Sequence, residues 1–300
     1  MSSLRLATRR SPLAVAQAEL VQSLLRARGT DSELVLLDTT GDRLSTEPLR
    51  EVSGEGIFAV EIQRAVLDGR AHVAVHSAKD LPSSSPEGLT LAAAPQRADP
   101  ADVLVGRSLA GLGPGATVAT GSPRRRALLL ERRPDLHIVE LRGNMATRVA
   151  AVGRNGVDAI VAAAAALERL GWLDLVSERL DPSWFVPQAG QGSLALEVRS
   201  EDEASAVVVA SLSDPTVLSA LRTERAYLRE LGAGCAVPVA AHALLEGDEI
   251  TLLAVMMAPD GSVVLRTSGV GTNPEELGAR LARELRDERG GANLWSPTPS

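Results

Sequence analysis

Lysine is all but absent from this chain: of its 31 basic residues only Lys79 is not an arginine. Cysteine is as scarce, with Cys235 alone. One thiol excludes an internal disulfide and a cysteine-cluster metal site. Aromatic residues are 2% of the chain, so the core has to be aliphatic, built from Ala, Leu and Val. No apolar run is long enough to span a bilayer. The opening MSSLRLATRR has no apolar signal core before its charges. With a single cysteine, these absences lead us to expect a cytoplasmic protein. A net charge of −7 argues against a general nucleic-acid binder. There is no Gly-Lys-Ser/Thr phosphate loop and no Gly-x-Gly-x-x-Gly turn after a strand, so nucleotide binding is disfavoured.

What remains is an ordinary globular composition, 45% hydrophobic over 300 residues, suited to two or three domains. The first block predicts a strand over 4–8. A helix follows, capped by Ser11 with Pro12 at its first position. Leu13, Gln17, Leu20, Val21 and Leu24 keep helical spacing until Gly29. A strand over 33–38, a helix over 58–67 and a buried strand over 72–76 complete the block. The second block reads as strands over 117–119, 137–141 and 158–162, alternating with helices to 131, over 144–152 and to 170. That alternation argues for a doubly wound α/β domain. The third block starts after Asp214-Pro215: a charged helix over 216–231, strands over 237–245, 249–257 and 262–270, and a helix over 274–289. It is a small α+β module. The tail 295–300 reads as loose.

Three features carry chemistry. Leu6-Ala-Thr-Arg-Arg-Ser-Pro12 and Val118-Ala-Thr-Gly-Ser-Pro123 share one order: strand, Ala-Thr, turn, Ser-Pro, helix. Each puts a hydroxyl and free backbone N–H groups at a helix N-terminus, which attracts anions. Arg9 and Arg10 adjoin the first turn, and Arg124 to Arg126 the second. Two such edges suggest a cleft gripping an acidic ligand from both sides. Further arginines, Arg142, Arg148 and Arg169, stand at or near successive strand exits, which implies a ligand with several carboxylates or phosphates. His76-Ser-Ala-Lys-Asp-Leu-Pro82 lies at the end of an apolar strand, where open α/β sheets bind ligands. Lys79 and Asp80 there make a charge pair, or an acid beside an anion clamp. Cys235 sits among small residues, Leu231-Gly-Ala-Gly-Cys-Ala-Val-Pro-Val239. Taken alone, that loop suits a buried filler as well as a sulfur that carries something.

Together these residues resemble the hydroxymethylbilane synthase, or porphobilinogen deaminase, family. The matching stretches are Ala7-Thr-Arg-Arg-Ser-Pro-Leu-Ala14, Thr40-Gly-Asp42, His76–Pro82, Arg132-Arg-Pro-Asp135, Leu141-Arg-Gly-Asn144, Gly190-Gln-Gly192 and Gly234-Cys-Ala-Val-Pro238. They run in family order over nearly the whole chain. The resemblance implies two α/β domains like those of periplasmic binding proteins flanking a cleft, plus a small α+β C-terminal domain. Residues 1–98 with 192–212 would form the first, 99–191 the second and 213–300 the third. It implies head-to-tail condensation of four porphobilinogen molecules with loss of ammonia, releasing hydroxymethylbilane. The primer would be a dipyrromethane cofactor on a Cys235 thioether, and no metal is expected. By match, Asp80 is catalytic, stabilising the cationic azafulvene. Lys79, Ser122, Arg124, Arg125 and Arg148 bind cofactor; Arg9, Ser11, Arg142, Arg148 and Arg169 bind substrate. A string of pyrroles bearing acetate and propionate accounts for the arginines. A monomer without nucleic-acid or membrane partners is expected.

Departures are few. Glu51 and Glu55 stand where the family commonly carries basic residues, which puts the 50–56 loop's role in doubt. Gly121, Ala166 and Ala233 are milder changes. A non-catalytic binding protein on the same scaffold would have no use for Cys235. A degenerate pyrrole-binding paralogue is the remaining alternative.

Overall fold

The computed structural model describes residues 3–39, 59–232 and 237–294. Cys235, the Glu51 and Glu55 loop, Thr40-Gly-Asp42 and the 295–300 tail lie outside the described residues.

The chain opens as expected. Strand β1 (Leu4–Arg9) enters a turn whose Ser11 Oγ accepts the Ala14 N–H at 3.3 Å, starting α1 (Pro12–Arg26). Strands β2 (Ser32–Leu37) and β3 (Val73–Ser77) flank β1 in parallel, with α2 (Val60–Leu67) between them in sequence. Parallel strands covered on both faces read as continuous apolar runs, and β3 is buried over Val73–His76. Beside β3 lie two strands the sequence pattern missed: β4 (Leu89–Ala93) and, far along the chain, β10 (Leu194–Arg199). The sheet order is β2-β1-β3-β10-β4, with β10 antiparallel to both neighbours.

The second sheet repeats this plan. It holds β5 (Asp102–Val105), β6 (Thr117–Ala119), β7 (His137–Val139), β8 (Ala159–Ala163) and β9 (Val176–Arg179) in the order β7-β6-β8-β5-β9. Strands β7, β6 and β8 are parallel, and β5 runs against β8 and β9. Its helices are α3 (Pro123–Arg132), α4 (Met145–Val149) and α5 (Ala164–Arg169). In each sheet the antiparallel strand is the one the chain enters after crossing from the other sheet. Two further differences are local. The expected helix over 144–152 stops at Val149, since Gly153 and Gly156 take positive φ and the chain turns. The strand expected to reach 141 ends at Val139.

After α6 (Glu203–Ala210), α7 (Pro215–Leu231) opens the third module, capped by Asp214 and closed by Gly232 at φ 59°. Strands β11 (Val239–Glu246), β12 (Glu249–Met257) and β13 (Val264–Gly271) form an antiparallel sheet backed by α7 and α8 (Pro274–Arg283). The helix expected to 289 widens into a π turn from Glu284. The module wedges against both sheets. Ala240, Val255 and Met257 join the core under the second, while Val217 and Leu221 of α7 pack on Ala78 and Ala195 of the first. Two α/β lobes and a small α+β module are thus the architecture expected from the resemblance.

Candidate anion-binding and catalytic site

Strands β1, β3 and β6 run out into turns that carry Arg9 and Ser11, Lys79 and Asp80, and Ser122 with Arg124 and Arg125. In the first lobe β3 runs out into a single 3-10 turn, Ala78–Asp80, which carries Lys79 and Asp80. A cavity of about 20 Å³, room for roughly one water, is lined there by Thr8, Arg9, Gln17, His76, Ser77 and Asp80 among others. Arg9 and Asp80 therefore line one cavity. Ser11 serves first as the α1 cap.

Lys79 keeps part of its surface open, but most of its side chain is enclosed. Its Nζ donates to Gln191 Oε1 at 3.3 Å, and its carbonyl accepts from Gln188 Nε2 at 3.2 Å. Burial, then the Arg125 charge, pushes its pKa down to about 8, with Asp80 pulling the other way. The same Asp80 charge acts on Arg148, whose pKa burial and the Arg125 charge push down to about 10. The Asp80 charge thus acts on a cation of each lobe.

In the second lobe Ser122 Oγ accepts the Arg125 N–H at 3.4 Å and starts α3. Arg124 and Arg125 then turn inward onto one carboxylate. Asp102, fully buried at the head of β5, lies 2.8 Å from Arg124 Nη1 and 2.7 Å from Arg125 Nη2. Burial works to raise its pKa, but the two guanidinium groups outweigh it and hold Asp102 at about 2. Arg125 spends further donors on Asp102 and the Val161 carbonyl, each at 2.9 Å. Arg124 Nη1 also donates to the Val186 carbonyl at 2.7 Å, while its Nε and Nη2 are buried with no hydrogen-bond partner among the described residues. Arg148 Nε donates to the Gly143 carbonyl. Arg169 crosses to the Gly192 carbonyl at 2.7 Å and leaves its Nε buried and unpartnered; burial lowers its pKa to about 10. Arg142 is turned aside onto Glu140, at 2.6 Å.

Two residues that sequence reasoning passed over hold this set together. Asp102 orients both arginines, and its trace was an acid leading the apolar run Asp102-Val-Leu-Val105. Gln191 joins the lobes: its Nε2 donates to Asp102 Oδ1 at 3.1 Å while its Oε1 receives Lys79. It lies within Gly190-Gln-Gly192, a stretch to which the resemblance assigns no role.

These features define a class: two-lobed α/β proteins with cationic side chains gathered near the strand ends of both lobes, here with a third module attached. The porphobilinogen deaminase dipyromethane cofactor-binding domain matches residues 4–206, and the porphobilinogen deaminase C-terminal domain matches residues 218–287. The porphobilinogen deaminase of Roseiflexus castenholzii is 44% identical, over 98% of this chain and 99% of that protein. That of Acidothermus cellulolyticus is 45% identical, over 95% and 89%. Among solved structures, a periplasmic substrate-binding protein of an ABC transporter from Coxiella burnetii matches 72% of this chain and 94% of its own. Its TM-score is 0.44 at 17% identity, too loose a likeness to bear on the argument. The chain belongs to the porphobilinogen deaminase family, whose members are transferases.

The described residues fit the dipyrromethane cofactor of that family. A polycarboxylate needs cationic donors with unspent hydrogen bonds, and Arg124 carries two buried guanidinium nitrogens with no hydrogen-bond partner among the described residues.

Proposed function

We propose that this chain joins porphobilinogen molecules head to tail with loss of ammonia, four to each hydroxymethylbilane released. The single observation that carries the reading is the Lys79–Asp80 turn, which sets an acid beside Arg9 on one cavity at the strand edge. Arg124, Arg125, Arg148, Lys79 and Ser122 would hold the cofactor, and Cys235 would bear it as a thioether. When bound, the cofactor supplies a covalent primer for the growing chain. Arg9, Ser11, Arg142, Arg148 and Arg169 would take the substrate's acetate and propionate.

Asp80 is the catalytic residue. Departure of ammonia leaves positive charge on the pyrrole, and a carboxylate fixed beside it stabilises that charge. The same group can accept the proton released when aromaticity returns. The reading includes a monomer working in the cytoplasm, with lobes bounded at about residues 98, 191 and 212.

The test is Asp80→Asn. It should keep the fold and carboxylate binding yet lose about 10²–10⁴-fold in turnover, the range of an acid–base group. A near-normal rate would remove Asp80 from the mechanism.

A further inference from the structure

The turn that carries Lys79 and Asp80 is a single 3-10 turn closed by one long backbone bond, Leu81 N–H to the Ala78 carbonyl at 3.3 Å. Something outside the turn has to fix it, and a buried carboxylate stands behind it. Glu197, in the middle of β10, has no exposed surface. Its Oε1 accepts from Ser85 Oγ at 2.6 Å, five residues after Asp80. Its Oε2 accepts from Gln63 Nε2 of α2 at 2.8 Å and lies 3.3 Å from His76 Nε2, four residues before Asp80. One carboxylate therefore touches both ends of the 76–85 segment and ties them to a central strand. From α7, the buried Arg225 guanidinium lies within the field of the Glu197 charge. Burial works to raise the Glu197 pKa, but His76 and the hydrogen bonds prevail and hold it at about 2, so the clamp stays ionised at working pH.

A carboxylate is an expensive way to fill a strand interior, because its desolvation is offset only when every oxygen is bonded. Charge-assisted bonds are short and directional, which suits holding a turn in place more than filling space. We propose that Glu197 is a positioning residue for the reaction, holding the Lys79–Asp80 turn at the cleft edge through Ser85 and His76. This rests on the reading of Asp80 as the catalytic residue.

Ser85 is half-buried and outside the binding machinery, so Ser85→Ala releases one end of the clamp with little threat to the fold. We expect its kcat to fall about tenfold, the scale of one charge-assisted hydrogen bond, with KM changed less than about twofold. Amide exchange over 77–83 should quicken while the rest of the chain is unaffected. Ser85→Thr, which restores the hydroxyl, should recover most of the rate. In an Asp80→Asn background, Ser85→Ala should slow turnover no further, because residues acting as one unit are not additive. Unchanged kcat and exchange in Ser85→Ala, or losses that multiply in the double variant, would overturn the proposal. Asp80→Asn at a normal rate beside a slow Ser85→Ala would sink the reading of Asp80 and leave the clamp acting through Lys79.

Discussion

Arg124 and Arg125 are neighbours in the first turn of one helix, and both send their guanidinium groups to Asp102. Any variant at these positions therefore has two consequences, lost ligand binding and an exposed imbalance in a buried ion cluster. Arg125→Leu should destabilise the protein by about 3–5 kcal/mol, the range for breaking a buried pair on one side. It should also emerge without cofactor. Arg169→Leu removes a bond to one carbonyl and should cost only about 1 kcal/mol; it should load cofactor normally and bind substrate weakly. Denaturant unfolding and an assay for bound dipyrromethane on each variant check both outcomes, and wild-type stability with full loading in Arg125→Leu would contradict the account. Lys79 gives a pH signature. Its ammonium is present below about pH 8 and is lost as pH rises through that value. Cofactor seating through Lys79 should be constant on the acid side and loosen above it, so the thermal stabilisation that the bound cofactor gives should shrink between about pH 7.5 and 9. A stabilisation flat across that window would remove the Lys79 charge from cofactor binding.

At the scale of elements, what could be read in the sequence was local. Ser11-Pro12 and Ser122-Pro123 start their helices as written, because a hydroxyl cap and a fixed proline φ act within one turn. Strands β4, β5, β9 and β10 were not legible. They are four to six residues long, and their partners lie across crossovers that no periodicity reports. β10 also interrupts its apolar run with Glu197, the residue argued above to clamp the catalytic turn. The site was legible in part for the same reason. Strand exits announced Arg9, Lys79, Asp80 and Ser122, but side-chain direction decided that Arg125 points to Asp102 and Arg142 to Glu140. Gly121, a departure from the family pattern, has a local reason: a Cβ there would stand 2.7 Å from the Leu141 carbonyl oxygen. Gly190 supplies the sharper test. Its φ is +76°, and an added Cβ would lie 2.9 Å from the Ala78–Lys79 peptide. Gly190→Ala should therefore both strain its own backbone, at a cost of about 1–2 kcal/mol, and displace the turn bearing Asp80. Turnover should fall further than thermal stability would explain. Normal turnover would show that the close approach does not position the turn.

The whole molecule is tied at its crossovers by one buried acid of the third module. Glu224, on α7 and without exposed surface, accepts from Arg97 Nη1 of the outgoing crossover at 2.8 Å and from the Gly190 N–H of the returning one at 2.6 Å. It also accepts the Ala243 N–H of β11 at 2.9 Å. Burial acts to raise its pKa, but Arg97, His242 and these bonds outweigh it and hold Glu224 at about 2. Glu197 and Asp102 are held equally low. Carboxylates whose folded pKa lies below the unfolded one stabilise fully above the unfolded value, near 4 to 4.5, and lose that contribution as pH falls toward 2. Stability should therefore be level through neutral pH and decline steeply between about pH 4.5 and 2. Glu224→Gln should flatten that decline while lowering stability at pH 7. A wild-type acid limb unchanged in Glu224→Gln would deny Glu224 this role.

The proposed reaction builds its product on a primer held by the chain's only thiol, Cys235. A thioether survives denaturation, whereas a ligand held only by arginines is washed away. Intact mass of the purified protein under denaturing conditions, before and after brief exposure to porphobilinogen, reads the claim directly. The account predicts the sequence mass plus one dipyrromethane, then a ladder of added pyrrole units, with adduct, ladder and activity all lost in Cys235→Ser. Turnover of porphobilinogen by protein at its bare sequence mass would contradict it.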